Sequence, residues 1–164
     1  MHHKDVIFPQ KRLECAEGYL QLDMDDAALE ELSYLKAEDL TSAQDKNHYY
    51  VLNLELAIRG KHWELGVQAA AALRHLEPDN VGAYVHGAYC LHELGMTAEA
   101  LELLLSGPKS LKNEPLYFYN LGCYHAVLGD IAQARAYLKE AFQRSPSLKR
   151  TAREDPDLKG LGEF

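Results

Sequence analysis

Residues Ala83–Leu101 read AYVHGAYCLHELGMTAEAL, and residues Tyr117–Arg135 read YFYNLGCYHAVLGDIAQAR. Laid one over the other, the two stretches align without a gap. Gly95 falls on Gly129, Leu94 on Leu128 and Ala100 on Ala134, a displacement of 34 residues. A fixed period of that length marks an array of repeated supersecondary units. A further 34 residues back from Ala100 lies Gly66, in WELGVQAAAALRHLEPDN. Ala28, in DDAALEEL, lies 38 residues before Gly66, so a few extra residues belong to the first connection. Four units result, over approximately 9–40, 43–78, 81–114 and 115–146, with a cap over 147–164.

The pattern predicts two antiparallel helices per unit and no strands. The pairs run roughly 9–22 with 25–36, 43–60 with 62–76, 80–94 with 97–106, and 115–128 with 131–144, before a short helix at 148–154. The small residue early in each second helix (Ala28, Gly66, Ala100, Ala134) lets two backbones approach closely. Gly122 does the same on a first helix, as do Gly87 and Ala88 at neighbouring positions. Gly95 and Gly129 are placed as left-handed caps. Thr97 and Asp130 are placed to cap the second helices. Pro78 and Pro146 stand where one unit must stop. The polar stretch Lys36–Asn47 and the stretch Ser106–Pro115 read as looser joints.

The last unit, YNLGCYHAVLGDIAQARAYLKEAFQRSP, resembles the tetratricopeptide-repeat (TPR) consensus nearly throughout. Leu121, Gly122, Gly129, Ala134, Leu138, Ala141 and Pro146 stand at its expected places. The resemblance implies an all-α fold, a right-handed TPR solenoid of about four helix-turn-helix repeats plus a C-terminal capping helix. It implies one TPR domain over residues 1–164. In the cap, SLKRTARED, Leu148 and Ala152 would face inward and Lys149, Arg150 and Arg153 would face water. The following DPDLKGL is similar to the tail of a group of small bacterial TPR proteins, whose last repeat also opens YNLxC. That likeness spans roughly residues 62–161 and brings a fold but no ligand.

Composition narrows the function. The chain has 164 residues, 47% of them apolar and 26% charged, with a formal net charge of -8. An acidic balance disfavours nucleic acid, whose phosphates need clustered Lys and Arg. Cys15, Cys90 and Cys123 are an odd number without regular spacing, as expected of reduced thiols in the cytoplasm. No apolar run approaches the ~20 residues that span a bilayer. The opening MHHKDVIF lacks the apolar core of a secretory signal. His2 and His3, whether native or appended, carry no assigned function.

TPR arrays hold extended or helical peptides on a concave surface lined by first helices. By that resemblance, repeat three presents Gly82, Val85, His86, Tyr89, His92 and Glu93, and repeat four presents Leu116, Tyr119, Asn120, Cys123, Ala126 and Val127. Repeat two leaves two registers open. An extra residue within the first helix turns Val51, Glu55 and Arg59 inward; one within the turn selects Tyr50, Val51 and Leu54. The candidate partner-binding groove is therefore Val51, Glu55, Arg59, Val85, His86, Tyr89, His92, Glu93, Tyr119, Asn120 and Cys123. An apolar, aromatic lining suits anchors from a partner, with polar groups setting register. The same tyrosines could equally fill the inner curve as packing. The carboxylate clamp of chaperone-binding TPRs needs two or more groove cations. Only Arg59 offers one, so that function is not carried over.

No catalytic motif appears, and no enzyme activity or cofactor is expected. The leading expectation is a protein-interaction module holding a protein or peptide of unknown identity. The alternative is a small assembly or secretion chaperone for one client. Self-association by stacking of repeat ends is a further expectation. A metal protein or enzyme built on His86, Cys90, His92, Cys123 and His125 is the weakest reading. Those residues lack paired metal-ligand spacing, and Cys90 is expected in the core. Cys123 is expected to line the groove as an accessible thiol. Asp23, Asp25, Asp26, Glu30 and Glu31 read as the solvated start of a helix.

Overall fold

The computed structural model describes residues 8–162; His2, His3 and the last two residues of the cap lie outside them. Among the described residues the chain is helical, with no strand. None of the helices is long and apolar enough to cross a membrane. The helices fall into two compact units that divide between Leu76 and Glu77.

The first unit holds α1 (Pro9–Gln21), α2 (Asp25–Ser33), α3 (Ala43–Arg59) and α4 (Trp63–Leu76). Pro9 opens α1 at a position where its missing N–H is no loss. Ser42 caps α3 by accepting from the Asp45 N–H at 2.9 Å. Leu13, Ala16 and Leu20 recur at helical spacing on α1 and pack with Ala28 and Leu32 of α2 and Leu52 and Leu56 of α3. The polar joint before α3 is anchored, because it buries Leu35 and Leu40 on either side of a short 3-10 turn.

The second unit holds α5 (Val81–Glu93), α6 (Thr97–Leu105), α7 (Pro115–Val127), α8 (Ile131–Arg144) and α9 (Leu148–Glu154). Two 3-10 turns, Lys109–Asn113 and Pro156–Leu161, complete it. One core runs through all of these, from Ala88 and Ala100 through Leu121 and Leu138 to Ala152, Leu158 and Leu161. The joint expected to be loose after α6 is pinned, with Leu111 fully buried. The small residues behave as steric logic requires. Ala28, Ala100 and Ala134 are completely buried. A methyl group on Gly122 would lie 2.6 Å from Leu138 Cγ, so α7 and α8 touch where only glycine fits.

All four helical hairpins close with the same three-residue turn. The central residues are Asp23, Lys61, Gly95 and Gly129, each left-handed, with φ of 55°, 56°, 79° and 86°. In each turn the next N–H reaches back five residues. Met24 donates to Tyr19 O, His62 to Ala57 O, Met96 to Leu91 O and Asp130 to His125 O, at 2.7–2.9 Å. The central N–H donates three residues back, as from Gly95 to His92 O at 2.8 Å. This is the Schellman closure, and it satisfies carbonyls the helix end would otherwise leave bare. It recurs five residues before Ala28, Gly66, Ala100 and Ala134.

The turns settle the register of the second hairpin. Gly60–His62 has the same length as Leu94–Met96 and Leu128–Asp130, so no residue is inserted there. Leu54 is buried, whereas Val51, Glu55 and Arg59 are exposed. Gly60, the obvious turn marker, is right-handed at φ -82°; the left-handed place falls to Lys61. A left-handed L-residue costs about 1–2 kcal/mol. Lys61→Gly is therefore expected to stabilise the protein by about 1 kcal/mol in urea unfolding. A variant less stable than the parent would contradict the shared turn. Asp130 caps α8 as expected, accepting from Gln133 N at 3.1 Å. Thr97 does not cap α6. Met96 occupies the cap position, and the Thr97 hydroxyl serves a histidine instead.

Candidate functional site

In the first unit the three predicted groove positions reach the surface, but Arg59 is already engaged. One guanidinium nitrogen donates to Asp23 and Asp25 at 3.1 Å each and to Leu20 O at 3.4 Å. The other donates to Glu55 at 2.6 Å. With its carboxylates supplied by neighbours, Arg59 ties the first hairpin turn to α3 and is no open anchor for a foreign carboxylate. The acidic start of α2 is thus a partner for Arg59 as well as a solvated helix start.

In the second unit the predicted residues separate into two sets. Val85, Tyr119 and Cys123 are buried, at 6%, 5% and 4% exposure. His86 and Glu93 are exposed, and Tyr89 and Asn120 are half-buried. Cys123 is therefore not the accessible thiol the groove register suggested. The surface it was expected to line is covered by residues 155–161 of the same chain.

That covering segment assembles the best-defined polar site in this unit. Tyr119 Oη donates to Asp155 Oδ2 at 2.6 Å. Cys123, one turn further along α7, donates its thiol to the same oxygen at 3.7 Å. The second Asp155 oxygen accepts from the Asp157 N–H at 3.0 Å, which folds the chain into the 3-10 turn. His92 Nε2 lies 2.8 Å from Asp157 Oδ2, and Nδ1 lies 3.0 Å from Thr97 Oγ1. A carboxylate only accepts, so Nε2 carries a proton here. The His92 ring rests on Tyr124, with centroids 4.9 Å apart. Beyond these bonds, Leu158 and Leu161 drop into the core at 1% and 2% exposure, and Arg135 donates to Leu161 O. An open cleft of about 440 Å³ runs beside the segment, lined by Tyr89, Glu93, Arg150, Thr151, Glu154 and residues 155–157.

Burial at the site keeps the groups on its helices protonated, as hydrogen-bond donors. Burial, and then the charges of Asp155 and Asp157, hold the Cys123 thiol far above its ordinary range. Burial and the bond to Asp155 do the same for the Tyr119 hydroxyl. Burial and Glu93 push the Cys90 thiol up to about 11. None of these groups is a nucleophile near neutral pH, because the reactive species is the anion.

The proposed His/Cys cluster does not assemble. His86 is exposed while Cys90 is wholly buried, so that pair does not share a face. His125 stacks on Tyr137 instead. A different trio does come together: the ligand atoms of Cys123, Asp155 and Asp157 lie within 4.8 Å of one another. Its carboxylates already accept from Tyr119, Cys123 and His92, and its thiol is held protonated. It is a hydrogen-bond network first. Asp155 and Asp157 were not among the residues expected at the site, and no local pattern in the sequence pairs them with Tyr119, Cys123 and His92. No protein-family model matches the chain, and no curated protein matches it.

Proposed function

We propose that this protein is a non-catalytic TPR-type interaction module of the cytoplasm, which holds a polypeptide segment against the first helices of its repeats. The observation that carries this reading is the seating of residues 155–161. Side chains from the inner face, Tyr119, Cys123 and His92, take hold of a short acidic segment by its carboxylates. Its apolar residues fill the core beside them. That is how a peptide groove works, with polar groups fixing register and apolar anchors providing affinity. The four matching turns and their small residues support the repeat assignment. The three cysteines, all free, favour a reducing compartment.

Tyr89 marks the part of this surface that remains open, in the cleft beside the segment. Affinity capture with wild type and Tyr89→Ala side by side tests the proposal. Bound proteins should be lost from the variant while it keeps its helical circular dichroism and a cooperative melting transition. An identical set of captured proteins on both would remove the cleft as the binding surface. Tyr119→Ala is the poorer choice, because Tyr119 is itself buried and its loss destabilises the fold while taking a donor from Asp155.

A further inference from the structure

We infer that the partner held by this face is a polypeptide carrying an Asp-x-Asp-Leu-x-x-Leu segment, and that residues 155–161 occupy its place in cis until it arrives. The inference rests on the reading of the face as a peptide site and names what the site recognises. The chemistry of the pocket defines the occupant. Three donors point at the segment: a phenol, a thiol and an imidazole N–H. An occupant must therefore present acceptors to these three groups, and carboxylates supply them in the geometry the segment shows. Tyr119 and Cys123 share one carboxylate, and His92 takes the carboxylate two residues on. Leucines three and six residues after the first aspartate fill the apolar floor, where Leu158 and Leu161 now lie.

Two features make exchange of this segment physically reasonable. The hairpins α5–α6 and α7–α8 close through their own turns and small residues, none of which lies in 155–161. Release would thus open the site without unmaking the hairpins. The open cleft beside Asp155–Asp157 also gives an incoming strand a place to begin.

The test uses the full chain and a fluorescent peptide of residues 153–162, REDPDLKGLG. Wild type should bind it weakly, since its own segment competes. The full-length double variant Asp155→Ala/Asp157→Ala should bind it at least about a hundredfold more tightly, as when the competent state rises from a hundredth or less to nearly all of the population. A peptide with both aspartates changed to asparagine should bind neither protein. Absence of saturable binding to both proteins, or equal binding of the neutral peptide, overturns the inference. If the double variant melts below the assay temperature, the wild type decides alone. It must saturate at high concentration of the acidic peptide and not of the neutral one. A concentration-dependent dimer that disappears in the double variant would assign the face to the segment of a second copy, and overturns the partner named here. If the peptide fails while Tyr89→Ala still loses its captured proteins, only the acidic occupant falls and the interaction module stands.

Discussion

Leu158→Ala is expected to lower the unfolding free energy by about 2–5 kcal/mol, the range for a buried leucine cut back to alanine. Leu158 is 1% exposed and belongs to the same core cluster as Leu121, Leu138 and Ala152. Truncation leaves a void against α7 that neighbouring side chains cannot close, because both ends of the segment are fixed. Asp155 is bonded to Tyr119 on one side, and Leu161 is buried on the other. The melting temperature should fall by roughly 4–20 °C for a chain of this size. Lys159→Ala is the natural control. That residue is exposed one position along, and its replacement should stay within ~0.5 kcal/mol of the parent. Urea unfolding of the two variants reads the difference. Equal, small effects would mean that residues 155–161 are not part of the core.

Most of the helical architecture was legible in the sequence, because the features that mark it are local and steric. A 34-residue repeat of small residues and glycines fixed where hairpins turn and where helices touch. Ala28, Gly66, Ala100 and Ala134 all proved buried at their close approaches. The second hairpin was ambiguous for a physical reason. Glycine is the usual signal for a left-handed turn residue, but Lys61 and Asp23 hold that conformation without it. Asp23 has Arg59 to secure it; Lys61 lies beside a glycine that drew attention to the wrong position. Thr97 misled in a similar way. Its hydroxyl suits an N-cap, yet the turn put Met96 there and left Thr97 to orient His92.

The site was less legible, because it depends on a segment far away in the chain. Helical spacing put Tyr119 and Cys123 one turn apart on one side of α7, and the TPR resemblance implied that this side lines a groove. Spacing could not say that the surface would be covered by Asp155 and Leu158, some 36 residues later. The His and Cys residues offered only the weakest reading, a metal set without paired ligand spacing. In three dimensions they disperse among a stack, a core position and two carboxylate bonds, and the acidic pair that completes the site comes from the DPDL sequence.

The thiol of Cys123 reports most directly on whether an acidic segment is held against this face. Both its burial and its raised pKa suppress the thiolate, so alkylation at pH 8 should be at least about 100-fold slower in the native chain than in urea. Cys15, only partly buried, supplies an internal reference of a more accessible thiol in the same sample. Asp155→Ala removes both the acceptor of the thiol proton and one of the charges that oppose ionisation. In site-resolved alkylation, native Cys123 should lag Cys15 strongly, and Asp155→Ala should restore its reactivity by at least about tenfold. A Cys123 that reacts in the intact native chain as fast as in urea would contradict this, because the face would then be open and residues 155–161 would not be its occupant.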